Sequence, residues 1–328
     1  MAFNTYGAEQ SEKRESNVDY DALNKYVVET VQAEQPETMV GVVSMIIDLG
    51  TQKLPDAEYE VDDEDKGLTV DELNEKHKEA IESGKITKYD MAYDNGKQVI
   101  KKFVPQKDRQ AIVYAVDFPD IIVDKGEFFG QSNPQPLRLF CGGQFWNGEK
   151  MHVQNMIALK VTKNDNIEGG KTWTMSPKSS LYKMALGAKI IETGKAFNPS
   201  RIDELLGKSL QFEIQVFING KSYYTEKLKY VGGLGRGQQP LSLDKTYMIE
   251  FNGDNDVEGL KQLRANVVNT IKNATNYQGS KIQQQLESLN SGNTNTSGNK
   301  QESGTPPKYD DSDIPFGDAK AEDVGDEW

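Results

Sequence analysis

Residues 210–231 constrain the fold more than any other stretch of the chain. In Leu210–Ile218 (LQFEIQVFI), Phe212, Ile214, Val216 and Ile218 alternate with Glu213, Gln215 and Phe217. Side chains two apart on a strand share a face, so this pattern predicts a strand with one face buried. Asn219–Gly220 supplies a type I′ turn, and Tyr223–Val231 returns as the partner strand. Its outer face is then Tyr223, Thr225, Lys227 and Lys229, or the opposite set if the register moves by one. A chain carrying this hairpin must build a sheet around it.

Other segments read as further strands. Val40–Leu49 (VGVVSMIIDL) is β-branched and apolar throughout, as a buried strand is. Ala111–Phe118, Ile121–Val123, Leu137–Phe140 and the alternating Met156–Thr162 complete the set. Helices interrupt them. Val18–Val31 carries Leu23, Tyr26, Val27 and Val31 at helical spacing. Thr69 and Glu72 form a capping box for a helix over Thr69–Ser83 that stops at Gly84, with His77 packed on its apolar face. Ser176–Pro177 starts a helix running to about Glu192. Ile202–Leu206 is a helical turn, and Val257–Ala274 and Lys281–Leu289 are helices.

Together these give a mainly β chain with inserted helices, of the α+β class. Five or six short strands, a long first connection, one capping helix and a late hairpin suit a five-stranded OB-type barrel, although a small barrel of another kind gives the same pattern. The expected organisation is a weakly ordered leader (1–36), a barrel domain (37–275) with an acidic, helix-containing insertion (55–105), a helix and flexible linker (276–309), and an acidic tail (310–328).

Charge follows this division. The net charge is −13, yet residues 301–328 hold nine acids against two lysines, and residues 55–82 hold twelve acids against three. Residues 83–300 come out at +8. A basic surface can act within a negative chain, because salt limits electrostatic reach to roughly 8–10 Å. One cysteine, Cys141, and two histidines, His77 and His152, exclude a disulfide framework and a Cys/His zinc cluster. No run has the length and apolarity of a membrane span, and the N-terminal residues lack the order of a signal peptide, so a reducing cytoplasm is expected.

The basic middle interleaves cations with rings. Arg138, Phe140, Phe145, Trp146 and Lys150 are followed by Lys160, Trp173, Lys178 and Lys183, then by Phe217, Lys221, Tyr223, Lys227 and Lys229. Cations neutralise phosphates and rings stack on bases, the two forces that hold a single strand without reading its sequence. Each ring alone is as well explained by packing in a core, and each lysine alone by solvation. Catalytic patterns are missing: Gly232–Gly237 lacks the Gly-Lys-Ser/Thr of a phosphate loop, Glu213-x-Gln215 lacks the lysine of a metal nuclease, and Cys141 has no histidine near it in sequence. No catalysis, cofactor or metal is expected.

The C-terminal residues add a second signal. Asn290–Pro307 is rich in Ser, Gly, Asn, Thr and Pro and cannot repay the entropy of ordering it. Beyond it, Asp310–Phe316 (DDSDIPF), with Asp310, Asp311, Asp313, Ile314, Pro315 and Phe316, resembles the C-terminal tip of bacterial single-stranded DNA-binding proteins. In that family the tip recruits replication and repair enzymes and competes with DNA. Here Phe316 is followed by twelve more residues, and Asp326, Glu327 and Trp328 combine acids, a ring and the chain-end carboxylate. Either aromatic is a candidate tip. Ile46–Gln52 (IIDLGTQ), Trp173–Met184 (WTMSPKSSLYKM) and Ile202–Lys208 (IDELLGK) resemble phage-encoded single-stranded DNA-binding proteins. That resemblance implies an OB fold that coats single strands in phage replication, recombination or repair within the host cytoplasm. It implies partners such as a polymerase, helicase or nuclease, and leaves homo-oligomerisation open. The competing expectation is an acidic or DNA-mimicking protein that binds a DNA-processing enzyme and not DNA. Pro55–Asp65 (PDAEYEVDDED) fits both, as a solvated loop or as a segment that imitates a strand.

Overall fold

The structure, a computed structural model, describes residues 18–94, 96–163, 173–220 and 222–291. Helix α1 (Tyr20–Val31) starts behind Asp19, whose carboxylate accepts from Ala22 N at 2.9 Å, and ends at Gln32 in a left-handed conformation. It buries Leu23, Val27, Val28 and Val31. Full burial of such side chains is worth about 1.5–3 kcal/mol each, so residues 18–36 belong to the body and not to a loose leader.

Strand β1 (Glu37–Gln52) follows. Val42, Val43, Met45, Ile46 and Ile47 are all buried, so β1 is covered on both faces, which explains its lack of alternation. An inserted module comes next: β2 (Ala57–Glu60), α2 (Val70–Lys76), α3 (Lys78–Glu82), β3 (Lys88–Asp94) and β4 (Lys97–Val104). The chain returns as β5 (Arg109–Val123) and β6 (Gln135–Phe140). Short strands β7 (Gln144–Trp146), β8 (Met151–Val153), β9 (Ile157–Ala158), β10 (Val161–Lys163) and β11 (Trp173–Met175) lead to α4 (Ser180–Gly187). Then come β12 (Ser209–Ile218), β13 (Tyr224–Gly232), β14 (Tyr247–Ile249), α5 (Val257–Lys261), α6 (Ala265–Lys272) and α7 (Lys281–Ser291).

The main sheet runs β13-β12-β1-β5-β6, antiparallel throughout, with β14 parallel to the second half of β1 and β9 beside β5. Its concave side holds Phe212, whose ring meets those of Tyr114 and Phe118 (6.4 Å each) and Tyr230 (6.1 Å). Gly41 lies there too, and a Cβ on it would overlap Val116 and the Phe118 ring. Helix α1 closes one end of this core, where Val216 N donates to Ala33 O. Helix α4 closes the other, where Tyr230 Oη donates to Lys183 O.

The sheet is not closed into a barrel by backbone pairing. At the seam between β6 and β13, Arg264 pairs with Glu226 of β13, donates to Arg138 O of β6 (3.0 Å), and lies 4.5 Å from the Phe140 ring centroid. On the outward side of the sheet, α5 packs on β14, α6 packs on β1 and β8, and Gln262 and Arg264 between them lie over Arg138 and Phe140 of β6. The Leu260, Val267, Ile271, Ile282 and Leu286 side chains of α5–α7 are buried, so the helix expected before the linker forms as α7 and packs on the body, beyond the boundary expected at residue 275.

Several local expectations change. Strands β12 and β13 pair Ile218 with Tyr224, so residues 219–223 form a five-residue connection and not a type I′ turn. Asn219 Oδ1 accepts from Tyr223 N (3.0 Å) and Ser222 takes the positive φ. The capping box at Thr69 and Glu72 forms, but its helix breaks at His77. Helix α4 starts at Ser180 and is over by Lys189, which is left-handed. The stretch expected as one helix over Val257–Ala274 is two, and Met156–Thr162 is split between β9 and β10.

The inserted module has its own fold. Its antiparallel sheet, β2-β4-β3, carries α2 on one face, with Leu73 and Tyr89 buried and His77 stacked on Tyr89 at 5.1 Å. Asp65, fully buried, pairs with Lys76 and accepts from His77 (2.6 Å to Nε2). The Lys76 ammonium holds the Asp65 carboxyl below its usual range against the opposing effect of burial, and His77 adds to the lowering. Among the described residues no helix is long and apolar enough to cross a membrane.

Candidate nucleic-acid interface

Two hairpins bring rings and cations together at the surface. The first is β12–β13. Leu210, Phe212, Ile214 and Val216 face the core, which turns Glu213, Gln215 and Phe217 outward. The register sets Gln215 opposite Lys227, Glu213 opposite Lys229 and Phe217 opposite Thr225. Thr225, Lys227 and Lys229 are therefore outward, the first of the two sets the sequence allowed. Lys227 Nζ lies 5.4 Å from the centroid of the half-buried Phe217 ring, and Lys227 and Lys229 are both exposed. A cation over a ring face is held by the ring quadrupole, and the same pair can meet a phosphate and its neighbouring base. Tyr223, half-buried, sits in the connection at the hairpin's end.

The second is β7–β8, which sequence periodicity does not reveal because each strand has three residues. Phe145 and Trp146 are 41% and 44% exposed. The turn between them and β8 is built by Asn147, whose Oδ1 accepts from Glu149 N (3.0 Å) and Lys150 N (2.8 Å). Buried His152 packs against the Phe145 ring at 5.7 Å and faces Asn147 Nδ2 at 2.9 Å. Burial, then the Lys150 charge, push the His152 pKa down, so the imidazole is neutral at pH 7 and its Nε2 accepts from that amide. The hairpin is fixed to α6 by Val153 N donating to Thr270 Oγ1 (2.8 Å) and Asn269 Nδ2 donating to Met151 O (3.1 Å). The rings thus stand on a mounted support, with exposed Lys150 in the turn.

Arg138 and Phe140 leave the candidate surface. Arg138 makes a two-pronged pair with buried Asp117 (Nε–Oδ1 2.7 Å, Nη2–Oδ2 2.8 Å) and also bonds Gln262. Ser44 Oγ donates to the same carboxylate at 2.7 Å. Its donors are committed to neutralising a buried charge. Phe140 is buried under the Arg264 guanidinium and cannot stack on a base. Both side chains do point outward from the sheet, but α5 and α6 lie on that side.

The remaining lysines are spread out. Lys160 lies near the stalk of the module, 3.5 Å from Gln106 Oε1. Lys178 and Lys183 are exposed around the start of α4, at the end of the core where β13 finishes. The Trp173 ring, Lys221 and every tail candidate from Asp310 to Trp328 lie outside the described residues. Arg264 and Glu226 were missed by the sequence reading. Cys141 is buried and accepts from Tyr114 N at 3.1 Å, with burial pushing its pKa up to about 12, so it is no nucleophile at neutral pH. Among the described residues no group of three or more His, Cys, Asp or Glu is placed to hold a metal ion. The chain matches no family model, no curated protein and no solved structure.

Proposed function

We propose that this chain binds single-stranded DNA without sequence preference, through the outward face of β12–β13 and the rings of β7–β8, and recruits DNA-processing enzymes through its acidic tail. The observation that carries the reading is Lys227 over the Phe217 ring beside Lys229, on a strand pair whose opposite face is core. A cation–ring pair at the surface with a second lysine beside it suits a ligand that alternates phosphate and base.

An OB-type barrel is the finer reading of the fold. Three features support it. β1 pairs with both β5 and β12, the second and fourth strands of the set. The end-capping α4 falls between the third and fourth strands, β6 and β12. β13 and β6 meet at a seam that Arg264 bridges. In OB folds the face of the second and third strands and the adjoining loops take oligonucleotides. Here that face is covered by α5 and α6, which directs the ligand to the hairpins on either side.

The test is an anisotropy titration of a labelled oligothymidylate against the full chain and residues 1–300, at two salt concentrations. Salt-sensitive binding by both is expected, tighter for the truncated chain if the tail competes. Absence of salt-sensitive binding in both rejects the reading. It would favour the second one, a chain that binds a DNA-processing enzyme through the module, where acids outnumber lysines fourteen to eight over residues 55–105.

A further inference from the structure

The β7–β8 hairpin presents two exposed rings, Phe145 and Trp146, but only one lysine, Lys150. A strand stacked on those rings brings a phosphate with every base, so the hairpin alone leaves most of that charge unanswered. The hairpin emerges beside the start of β5. Cys141 N donates to Tyr114 O (2.9 Å) where the chain departs, and Ile157 pairs with Ile112 where it returns. Arg109 is three residues before Ile112, about 10 Å along the strand. Thr270 of α6 ties the same places together. Its Oγ1 accepts from Val153 N (2.8 Å), its carbonyl accepts from Gln52 Nε2 (2.9 Å), and Gln52 pairs with Arg109.

Around Arg109, three segments of chain bring cations together. The linkers into and out of the module carry Lys53 and Lys107. Leu159 N donates to Gln110 O (2.8 Å), which sets the following Lys160 beside Arg109. Gln106 joins all three segments: its Oε1 lies 3.5 Å from Lys160 Nζ, and its Nε2 donates to Pro55 O (2.8 Å). Lys53, Lys107 and Lys160 are exposed. Arg109 is half-buried, and its buried Nε has no hydrogen-bond partner among the described residues. None of the four cations has an ion pair among the described residues, whereas the module's Lys66, Lys76, Lys88, Lys101 and Lys102 each have one. Asp56 and Asp108 stand on the same linkers, so these six groups sum to +2. A buried donor left unmade is costly, and a phosphate oxygen is an acceptor that suits a guanidinium.

We propose that Lys53, Lys107, Arg109 and Lys160 bind the phosphates of the strand that stacks on Phe145 and Trp146, so that this strand runs across the base of the module. The inference rests on the single-stranded DNA reading and extends its β7–β8 site by four cations, three of which no ring pattern in the sequence singles out. The ligand here is the sugar–phosphate chain, held by charge and not by base identity, so any sequence satisfies it. It also gives the two linkers of the module a part in binding that the module's own ion-paired lysines cannot play.

The experiment is the oligothymidylate titration of the full chain over a salt series, on the natural chain, Lys107→Ala, the triple variant K53A/K107A/K160A and Lys97→Ala. Lys97 is exposed, has no ion pair among the described residues and sits opposite Asp94 at the far turn of the module, so its removal takes away the same charge away from the linkers. All the substituted lysines are exposed, half-buried Arg109 is left in place, and circular dichroism checks that each variant folds. A phosphate contact on a single strand contributes about 0.7 to the slope of log affinity against log salt. Lys107→Ala should therefore lower the slope by about 0.7 and the triple variant by about 2, while Lys97→Ala leaves it unchanged. A triple variant with the natural slope, or a slope that falls as far in Lys97→Ala as in Lys107→Ala, overturns the inference and leaves the DNA reading standing. A natural chain without salt-sensitive binding overturns the DNA reading and the inference with it.

Discussion

Arg264 is the side chain whose removal tests the seam most directly. It reaches three groups across the gap between β6 and β13: the Glu226 carboxylate, the Arg138 carbonyl at 3.0 Å and the Phe140 ring at 4.5 Å. Its side chain is 16% exposed and that of Glu226 15%, so the pair is largely out of water. Removing one partner of a buried pair costs about 3–5 kcal/mol, because the other charge is left without compensation. The remaining exposure lets some water in, which moves the cost toward the lower end, and loss of the cation–ring contact returns about 1 kcal/mol. Arg264→Ala should therefore destabilise by about 4 kcal/mol. Glu226→Gln keeps an acceptor for the guanidinium and should cost about 1.5 kcal/mol. With both changes no buried charge is stranded, so the double variant should cost about 3.5 kcal/mol, leaving a coupling of about 2 kcal/mol. Urea unfolding followed by tryptophan fluorescence measures all three, provided the slope against urea stays constant. Costs that simply add to within about 0.5 kcal/mol would show that the pair is not a desolvated unit and that the seam is held by something else.

Three further outcomes follow from single groups. Phe217→Ala should weaken oligothymidylate binding by about 1–3 kcal/mol, roughly 5- to 150-fold, while Lys227→Ala lowers the slope of log affinity against log salt by about 1; unchanged affinity in both would mean that the other side of the molecule binds. Cys141 should resist a thiol-reactive dye at pH 8 in the folded chain and react fully in urea, since its pKa stands at about 12; quick labelling of the folded chain would contradict its burial. Asp65 has its folded pKa lowered, so its contribution to the module's stability is present above the ordinary value of 3.8 and is lost as pH falls through the lowered one. Asp65→Asn should flatten that acid-side dependence in thermal melts, and a variant as acid-sensitive as the natural chain would place the dependence elsewhere.

The parts of the fold with one strong local signal were legible. Alternation in Leu210–Ile218 gave a strand with the correct inward face at Phe212, Ile214 and Val216, although Ile218 at its end is 43% exposed; the β-branched run at Val40–Leu49 gave β1, and the Thr69/Glu72 box gave a helix start. The module's sheet was not read, although Lys88–Asp94 (KYDMAYD) alternates cleanly, with Tyr89, Met91 and Tyr93 on one face and Lys88, Asp90 and Asp94 on the other; its partner Lys97–Val104 (KQVIKKFV) carries lysines on both faces, which hides the pattern. Strands of three residues, such as β7, β8 and β14, are too short for any period to register. The error at Arg138 has a different cause. Alternation with Leu137 and Leu139 correctly turns it away from the core, but outward is not the same as solvent-exposed when residues more than a hundred positions later return to cover that side. The signal that could have corrected it was Asp117. An acid inside the apolar run Ala111–Phe118 must be buried, and a buried carboxylate requires a cation on the neighbouring strand.

The cover on the outward side of the sheet has a consequence for how a ligand could be held. α5, α6 and α7 bury Leu260, Val267, Ile271, Ile282 and Leu286, so this cover is as deeply packed as the sheet itself and is not a flap that a strand could lift. Opening it would also strand Glu226 without Arg264 and break the Arg138–Gln262 contact, several kcal/mol that a few stacked bases at about 1–3 kcal/mol each would have to offset. On the proposed reading, affinity therefore has to be assembled from the two hairpins outside this cover. Neither offers more than a few rings and cations, so each alone is a weak site. A flexible polymer that reaches both gains from the second contact without new surface, because that contact is made at high effective concentration. Such an arrangement favours a long, unstructured polyanion over a short or rigid one, which is the discrimination that a binder of single strands needs.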